Sequence, residues 1–539
     1  MCIRDRSGSR DFKDSNEHKK DIDIIGQFGV GFYSAFMVAK KVEVLSKAYG
    51  SDEANLWVSE GIDGYQISSA SKDSFGTDVI LTIKDSTEEE DYDQYLETYT
   101  IQELIRKYSD YITYPIRMEV EHQHLKDKKN KEDKDEYETV IETETINSLV
   151  PLWKRNKTKI SEEEYHTFYS DKFFDYEKPL SYIHTAAEGT ISYHSLLYIP
   201  SHAPYDFYTK DYQKGLQLYS NGVLIMEKCA LLLPDYFSFV KGVVDSPDLS
   251  LNISRETLQQ DRLLKTIAKS LESKIKKDLE DMRDNRREDY EKFFCAFGSQ
   301  LKFGLYDNYG MNKDKLEDLV MFYSSSQKKL ITLKEYVDRK KEEQKAIYYA
   351  CGESVDKIDM MPKVEALKEK YEILYCTEYV DEFALKMLNR YHDMDILNIN
   401  SEKVDTDDEK AKEEINKKNE DAKDIFKMMI EAIPEVKEIR FTNQLKNHPV
   451  CLTTMGDVSV EMEKAFNQIP NEEGIQAQKV LEINESHPIA QKIKDMAKNN
   501  PDGLKDYAKV LYAEARLIEG LSIDNPTEIS NLICQYLAK

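Results

Sequence analysis

The chain has 539 residues, a length for three to four domains at about 150 residues each. Its 75 Lys and Arg stand against 101 Asp and Glu, and the net charge of −26 excludes the broad basic surface that a nucleic-acid binder needs. Hydrophobic residues at 40% allow real cores, whereas 20 Gly and 14 Pro are too few for the many tight turns of an all-β sandwich or propeller.

From the N-terminus, polar residues give way to a Gly-rich apolar run over 24–36, with G-x-x-G-x-G at Gly26, Gly29 and Gly31. Such glycines let a backbone approach a phosphate closely, and residues 32–39 are placed to begin a helix whose N-terminal amides would face an anion. The other reading of the same spacing is a tight turn between packed elements. Alternation predicts strands over 41–46 and 78–83. Ile101, Leu104, Ile105 and Tyr108 mark one face of a helix. Residues 126–136 contain no apolar side chain and cannot form a core. His122 and His124 beside them have no Cys partner and read as solvated loop residues, not as metal ligands.

Strand patterns return at 193–199 and 216–226, and a long helix follows with Leu264, Ile267, Leu271 and Ile275 on one stripe. In 250–260, an Asn/Ser-rich turn leads into a helix with Arg255 in its first turn. A cation is unfavourable at the positive end of a helix. Arg255 therefore either meets an anion such as a phosphate or pairs with Asp248, Glu256 or Asp261. Further on, Thr332 and Glu335 have capping-box spacing, and strand patterns at 346–350 and 372–375 flank a helix in a β-α-β unit. Residues 404–423 have high helix propensity with scattered apolar positions, an exposed helical connector.

Two helices close the chain. Tyr507, Val510, Leu511 and Ile518 stripe the first, which Gly520 ends. Asn525, Pro526 and Glu528 start the second, striped by Ile529, Leu532, Ile533 and Tyr536. Each stripe is too narrow to form a core alone. Pairing across a two-fold axis into a four-helix bundle is expected, with packing inside one domain as the alternative. Seven scattered cysteines without a C-x-x-C pair fit a reducing, cytoplasmic compartment. No apolar run approaches the roughly 20 residues that span a bilayer. The opening hexapeptide has no apolar core and is not a signal peptide.

The stretch IGQFGVGFYSAFMVAKKVEV, with the later Phe75-Gly76-Thr77, closely resembles the ninety-kilodalton heat-shock chaperone family. The resemblance continues through PLWKRNK at 151–157, SLLYIPSHAP at 195–204, LYSNGVLIME at 218–227 and VVDSPDLSLNISRETLQQD at 243–261. It extends to EYVDRKKEEQKAIYYACG at 335–352 and the terminal helix pair, in the family's order. This resemblance implies a multidomain α/β (α+β) fold. Residues 1–120 would be the later part of a Bergerat-type (GHKL) ATPase sandwich, and 121–147 a charged linker. Residues 148–403 would be an α/β middle domain with a helical insert, and 404–539 an α+β dimerisation domain.

The implied activity is that of a homodimeric molecular chaperone that binds unfolded or partly folded clients and is driven by ATP with Mg2+. By position, Gly26, Gln27, Gly29, Val30, Gly31 and Phe32 would line the phosphate and lid side of the nucleotide, with Thr77 near the adenine. Arg255 would reach the γ-phosphate, and Gln259 would support it. An Arg supplied by another domain stabilises charge on the transferred phosphoryl group and ties hydrolysis to domain closure. Client contacts would fall on an exposed helix with Val460, Met462, Ala465 and Phe466. Trp153 is a further candidate, with core burial as its alternative role. No nucleic-acid or membrane partner is expected.

The sequence also departs from the family. Its first six residues do not match, and the match begins at Ser7-Gly8-Ser9. The helix Glu that activates water, the Asn that positions magnesium and the D-x-G-x-G segment that binds adenine have no counterpart among these residues. The expectation is an N-terminally truncated chain. It would lack general-base catalysis, a factor of about 10² to 10⁴, and would serve as a nucleotide-independent client-binding and dimerisation module. The short charged linker and the ending Cys534-Gln535-Tyr536-Leu537-Ala538-Lys539, without an acidic co-chaperone peptide or retention signal, point to a bacterial form.

Overall fold

The computed structural model describes residues 31–125, 137–189, 191–249, 262–401, 404, 409–467 and 475–538. The chain divides into two compact units. The first comprises Met1–Pro200, Tyr208–Pro234 and Val240–Lys274, and the second Ser201–Phe207, Asp235–Phe239 and Ile275–Lys539.

In the first unit, β1 (Ala39–Lys47), β2 (Ala54–Ser59), β3 (Gln66–Ala70) and β4 (Gly76–Ile83) form an antiparallel sheet in the order β3-β2-β1-β4. The predicted strands at 41–46 and 78–83 are neighbours in this sheet, with Val44 opposite Val79. The helix expected over 32–39 is much shorter. A 3₁₀ turn at Gly31–Ser34 and an α-helical turn at Ala35–Val38 lead into β1 at Ala39, where the ladder begins. The helix predicted around 101–108 spans Thr98–Tyr108.

Of the linker expected over 121–147, residues 121–125 and 137–145 belong to a hairpin. β5 (Arg117–Leu125) and β6 (Tyr137–Thr145) pair antiparallel across nine positions. The threonines and β-branched residues of 139–145 favour an extended chain, and cross-strand pairing then satisfies its backbone groups. The stretch 126–136, which has no apolar side chain, lies outside the described residues. His122 Nε2 faces Glu144 Oε1 across the hairpin at 2.9 Å.

The second sheet of this unit has the order β10-β9-β11-β8-β7, from β7 (Ser181–Ala187), β8 (Tyr193–Ile199), β9 (Leu216–Ser220), β10 (Val223–Cys229) and β11 (Lys241–Asp245). The apolar run at 216–226 is thus two strands, not one. Asn221 and Gly222 both adopt positive φ, 50° and 78°, and close a two-residue hairpin. A capping box at Ser161 and Glu164 starts the helix Glu162–Phe173, whose Tyr165 and Tyr169 join Trp153, Tyr198 and Tyr219 in an aromatic core.

The second unit contains a six-stranded sheet, β13-β12-β15-β14-β17-β16. Its strands are β12 (Met321–Ser324), β13 (Leu330–Thr332), β14 (Ala346–Cys351), β15 (Ile373–Cys376), β16 (Arg390–Tyr391) and β17 (Met394–Asn398). The β-α-β reading of 346–375 holds, with β14 and β15 parallel. The connecting segment carries two helices, Val355–Asp359 and Pro362–Leu367, the second begun by proline at its first turn. Thr332 and Glu335 make both bonds of the predicted capping box, at 3.2 and 2.8 Å.

A second core surrounds β18 (Val436–Thr442), β20 (Gln478–Asn484) and β19 (Val450–Met455), paired in that order. The expected connector at 404–423 contributes to it directly. The helix Glu409–Asp421 buries Ile415, and Ala422 follows it into the same cluster as Phe426 and Phe441. Asn419 locks this helix to β18 by accepting from the Phe441 amide at 2.7 Å. No described helix is long and apolar enough to cross a membrane.

Candidate functional site

Of the residues assigned to the nucleotide, Gly26, Gln27, Gly29 and Val30 lie outside the described residues, as do Arg255 and Gln259. Gly31 opens the turn before β1, which Ser34 closes by donating from Oγ to the Gly31 carbonyl at 2.6 Å. Nothing stands within 4 Å of where a Cβ on Gly31 would sit. Phe32 packs edge-on against Trp57 at 5.6 Å. Trp57 is opposite Val44, and Thr77 is opposite Ser46, two residues along the same strand. Two-residue spacing returns to one face of a sheet, so Phe32 and Thr77 share a face. The Thr77 and Ser46 hydroxyls are 2.8 Å apart.

The chain enters 250–261 from a tightly held strand end. Asp245 at the end of β11 is fully buried and accepts from Trp153 Nε1 at 3.2 Å, while Lys154 Nζ lies 2.9 Å from the same oxygen. Trp153 itself is completely buried against Tyr111, Phe168 and Tyr219. Of its two expected roles, the structure displays core packing. Its ring has no surface on which to meet a client, being enclosed by these three rings with its N–H bonded to Asp245. His184, which bonds Tyr165 and the Trp153 carbonyl, is held below the usual histidine range by burial.

The helix Val460–Asn467 is docked, not free. Val460 is buried, and Met462, Ala465 and Phe466 are half-buried. Ser459 caps it by accepting from the Met462 amide, and the Ser459 hydroxyl donates to Glu382. Lys386 Nζ donates to Met462 Sδ at 2.9 Å. Phe466 stacks edge-on against Phe383 at 5.6 Å, and Phe383 against Tyr306 at 5.6 Å. Tyr306 leads into a cavity of about 600 Å³ lined also by Phe303, Tyr309 and Met387. Phe303 is 50% exposed and Tyr306 48%. The helix Arg287–Gly310 breaks at its end, with Asp307 extended and Asn308 and Tyr309 left-handed, and Tyr309 turns fully outward. Phe383, Tyr306 and Tyr309 were not singled out from the sequence, since no local pattern separates a surface aromatic from a core one.

In the terminal helices, Pro501–Ile518 and Pro526–Leu537, Asn525 Oδ1 accepts from the Glu528 amide as the start signal predicts. The buried face of the first runs through Leu504, Ala508, Leu511, Tyr512 and Ala515. Only Leu511 of the predicted stripe is fully buried; Tyr507, Val510 and Ile518 are half-buried. Tyr507 meets Tyr536 edge-on at 5.4 Å, and Ile533 and Leu537 of the second helix are exposed.

The family model described as Hsp90 protein matches residues 118–539. The chain is 53% identical over 534 residues to a protein named Chaperone protein HtpG from Clostridium perfringens strain 13, covering 99% of this chain and 85% of that relative. Relatives of the same name from Clostridium botulinum strain 657 and Oceanobacillus iheyensis are 50% and 51% identical over the same shares. These matches run through the aromatic core around Trp153, the six-stranded sheet, the docked helix and the terminal helix pair. The chain belongs to the Hsp90 protein family.

Proposed function

We propose that this chain is a homodimeric, cytoplasmic molecular chaperone that captures partly folded polypeptides on an aromatic surface and couples their handling to ATP. The observation that carries the reading is the run Tyr306, Phe383 and Phe466, flanked by Met387, Met462 and the outward Tyr309, beside a cavity of about 600 Å³. Aromatic rings supply large contact area with few torsions to fix, and thioethers adapt to partners of varied shape. The net charge of −26 keeps such a surface soluble. Relatives at 50–53% identity bear the name of a chaperone, which supports the same role here.

In this reading Gly26, Gln27, Gly29, Val30, Gly31, Phe32 and Thr77 line ATP with its Mg2+, and Arg255 with Gln259 meets the γ-phosphate. An arginine in that role is worth about 10³ to 10⁵ in turnover. A second reading, client capture without nucleotide, is favoured by one observation. The rings of Tyr306, Phe383 and Phe466 and the terminal helices all follow Gly298 in the chain, and none of them belongs to the nucleotide set.

The test is suppression of aggregation of a heat-unfolding enzyme, followed by light scattering, with ATP turnover measured on the same samples. Tyr309→Ala, which disturbs no packing, and the pair Phe383→Ala with Phe466→Ala should each weaken capture, the pair by about 2 kcal/mol or more. Tyr49→Ala, at an exposed ring of the first unit, should not. Undiminished suppression by all of these variants would refute the aromatic surface. Turnover that Arg255→Ala abolishes supports coupling to ATP, and capture with no turnover supports the second reading.

A further inference from the structure

The parallel strands β14 and β15 end side by side in cysteines. Cys351 closes the first and Cys376 the second, and they are direct register partners. Neighbouring strands lie roughly 4.7–4.9 Å apart, inside the Cα window of about 4.4–6.8 Å that a disulfide spans. Registered side chains point to one face of a sheet, so the two thiols sit side by side on it.

Their surroundings are a crevice. Tyr349, two residues before Cys351, donates to Glu382 on the helix Tyr379–Leu388. On the opposite face, Tyr375 donates to Asp359 at the end of the helix Val355–Asp359. The connections leaving β14 and β15 thus pass to opposite faces of the sheet. That divergence opens a gap at the carboxyl ends of parallel strands. A cavity of about 240 Å³ occupies it, lined by both cysteines together with Gly352, Phe383 and Met462. Cys351 is 8% exposed and Cys376 1%. The pair therefore meets solvent chiefly through Cys351 and the cavity that it lines.

We propose that Cys351 and Cys376 form a reversible dithiol–disulfide site, oxidised by a hydroperoxide that enters this crevice. The Cys351 sulfur, the more open of the two, attacks the distal peroxide oxygen. The O–O bond breaks, its electron pair leaves with the second oxygen, and that oxygen takes the thiol proton, giving a sulfenic acid and water or an alcohol. Cys376 then attacks the sulfenic sulfur and expels hydroxide, which leaves as water with the Cys376 proton. Two thiols lose two electrons and two protons, and the hydroperoxide is reduced. Burial, with Glu382 and Asp381 nearby, raises both thiols above their usual range, so the attack draws on a minor thiolate population and the oxidation is slow.

The bond would tie together the strand ends that precede the capping residue Glu378 of the helix Tyr379–Leu388. That helix carries Phe383 and Glu382. Any effect on client capture rests on the proposed function; the thiol chemistry does not.

The test exposes the folded full chain to hydrogen peroxide, blocks remaining thiols after denaturation and maps tryptic peptides. A species joining 346–357 to 371–386 is expected. It should disappear with dithiothreitol and be absent from Cys351→Ser, in which Cys376 should remain alkylatable. Separate alkylated peptides after the exposed Cys295 and Cys534 have been oxidised would overturn the proposal. So would a linked species that forms only in denaturant. The unsubstituted chain decides the matter alone, so a variant that folds poorly does not. A linked chain that captures clients as before removes only the coupling, and loss of capture in both redox states counts against the proposed function alone.

Discussion

Glu519 caps the helix Pro501–Ile518 with its carboxyl buried, and burial pushes that carboxyl up to about 7 from an ordinary 4.5. Lys464, the cation that most favours ionisation, donates to the Glu519 backbone carbonyl at 2.6 Å and to Glu461, so it offsets the desolvation only in part. Glu461 opposes ionisation, Lys363 favours it weakly, and Asn400 donates to the carboxyl at 3.4 Å. The folded state therefore holds the proton more tightly than the unfolded state. The stabilisation is fully present below about pH 4.5 and is lost as pH rises through about 7. Glu519→Gln should remove that slope. Denaturant midpoints of the two proteins should converge near pH 5 and separate near pH 7.5, roughly, with the variant the more stable. Parallel curves across that range would show that Glu519 ionises freely. Nothing in the sequence distinguishes this glutamate from its many solvated neighbours, because its proton affinity comes from residues of three other segments.

Elements were more legible than residues. The Thr332 capping box, the strand at 193–199 and the long stripe through Leu264, Leu271 and Ile275 all appear where local pattern placed them. Such signals act within one or two turns of backbone and survive any packing. The hairpin at 216–229 was divided by Asn221-Gly222, a local signal that apolar continuity on either side masked. Gly222 has a left-handed φ of 78°, and a Cβ there would stand 2.1 Å from the Tyr111 carbonyl oxygen. Gly222→Ala should therefore cost about 2 kcal/mol or more in stability, from both strain and collision. Gly456→Ala, at φ 79° in open space, should cost about 1 kcal/mol. Urea unfolding of both variants checks the difference, and equal losses would mean that Tyr111 moves aside without penalty.

At the scale of the whole molecule, the terminal helices leave an apolar edge uncovered within the chain. Ile533 and Leu537 are exposed, Leu537 by 81%, beside half-buried Ile529 and Tyr536. A dimer formed there would bury them across a two-fold axis. Ile533→Asp with Leu537→Asp should convert the protein to a monomer in sedimentation velocity, with its circular dichroism unchanged. A dimer that persists places the interface elsewhere. The first helix illustrates why the stripe in sequence was misjudged. Large side chains at 507, 510 and 518 outweighed the small Ala508 and Ala515, yet the alanines let the helix approach the core closely and lie on the buried side.

The amino-acid order by itself determined the family, the position of several strands and helices, the caps at Thr332 and Asn525 and the acidic, multidomain character. These follow from local propensity, periodicity and motif order. The tertiary structure decided which faces are buried. It turned part of an expected linker into a hairpin and an expected connector into part of a core, and enclosed Trp153. It also brought Tyr306, Phe383 and Phe466 into one run and set Cys351 beside Cys376. Each of these joins residues that are far apart along the chain. Their proximity depends on how sheets and helices pack, which no window of neighbouring residues contains.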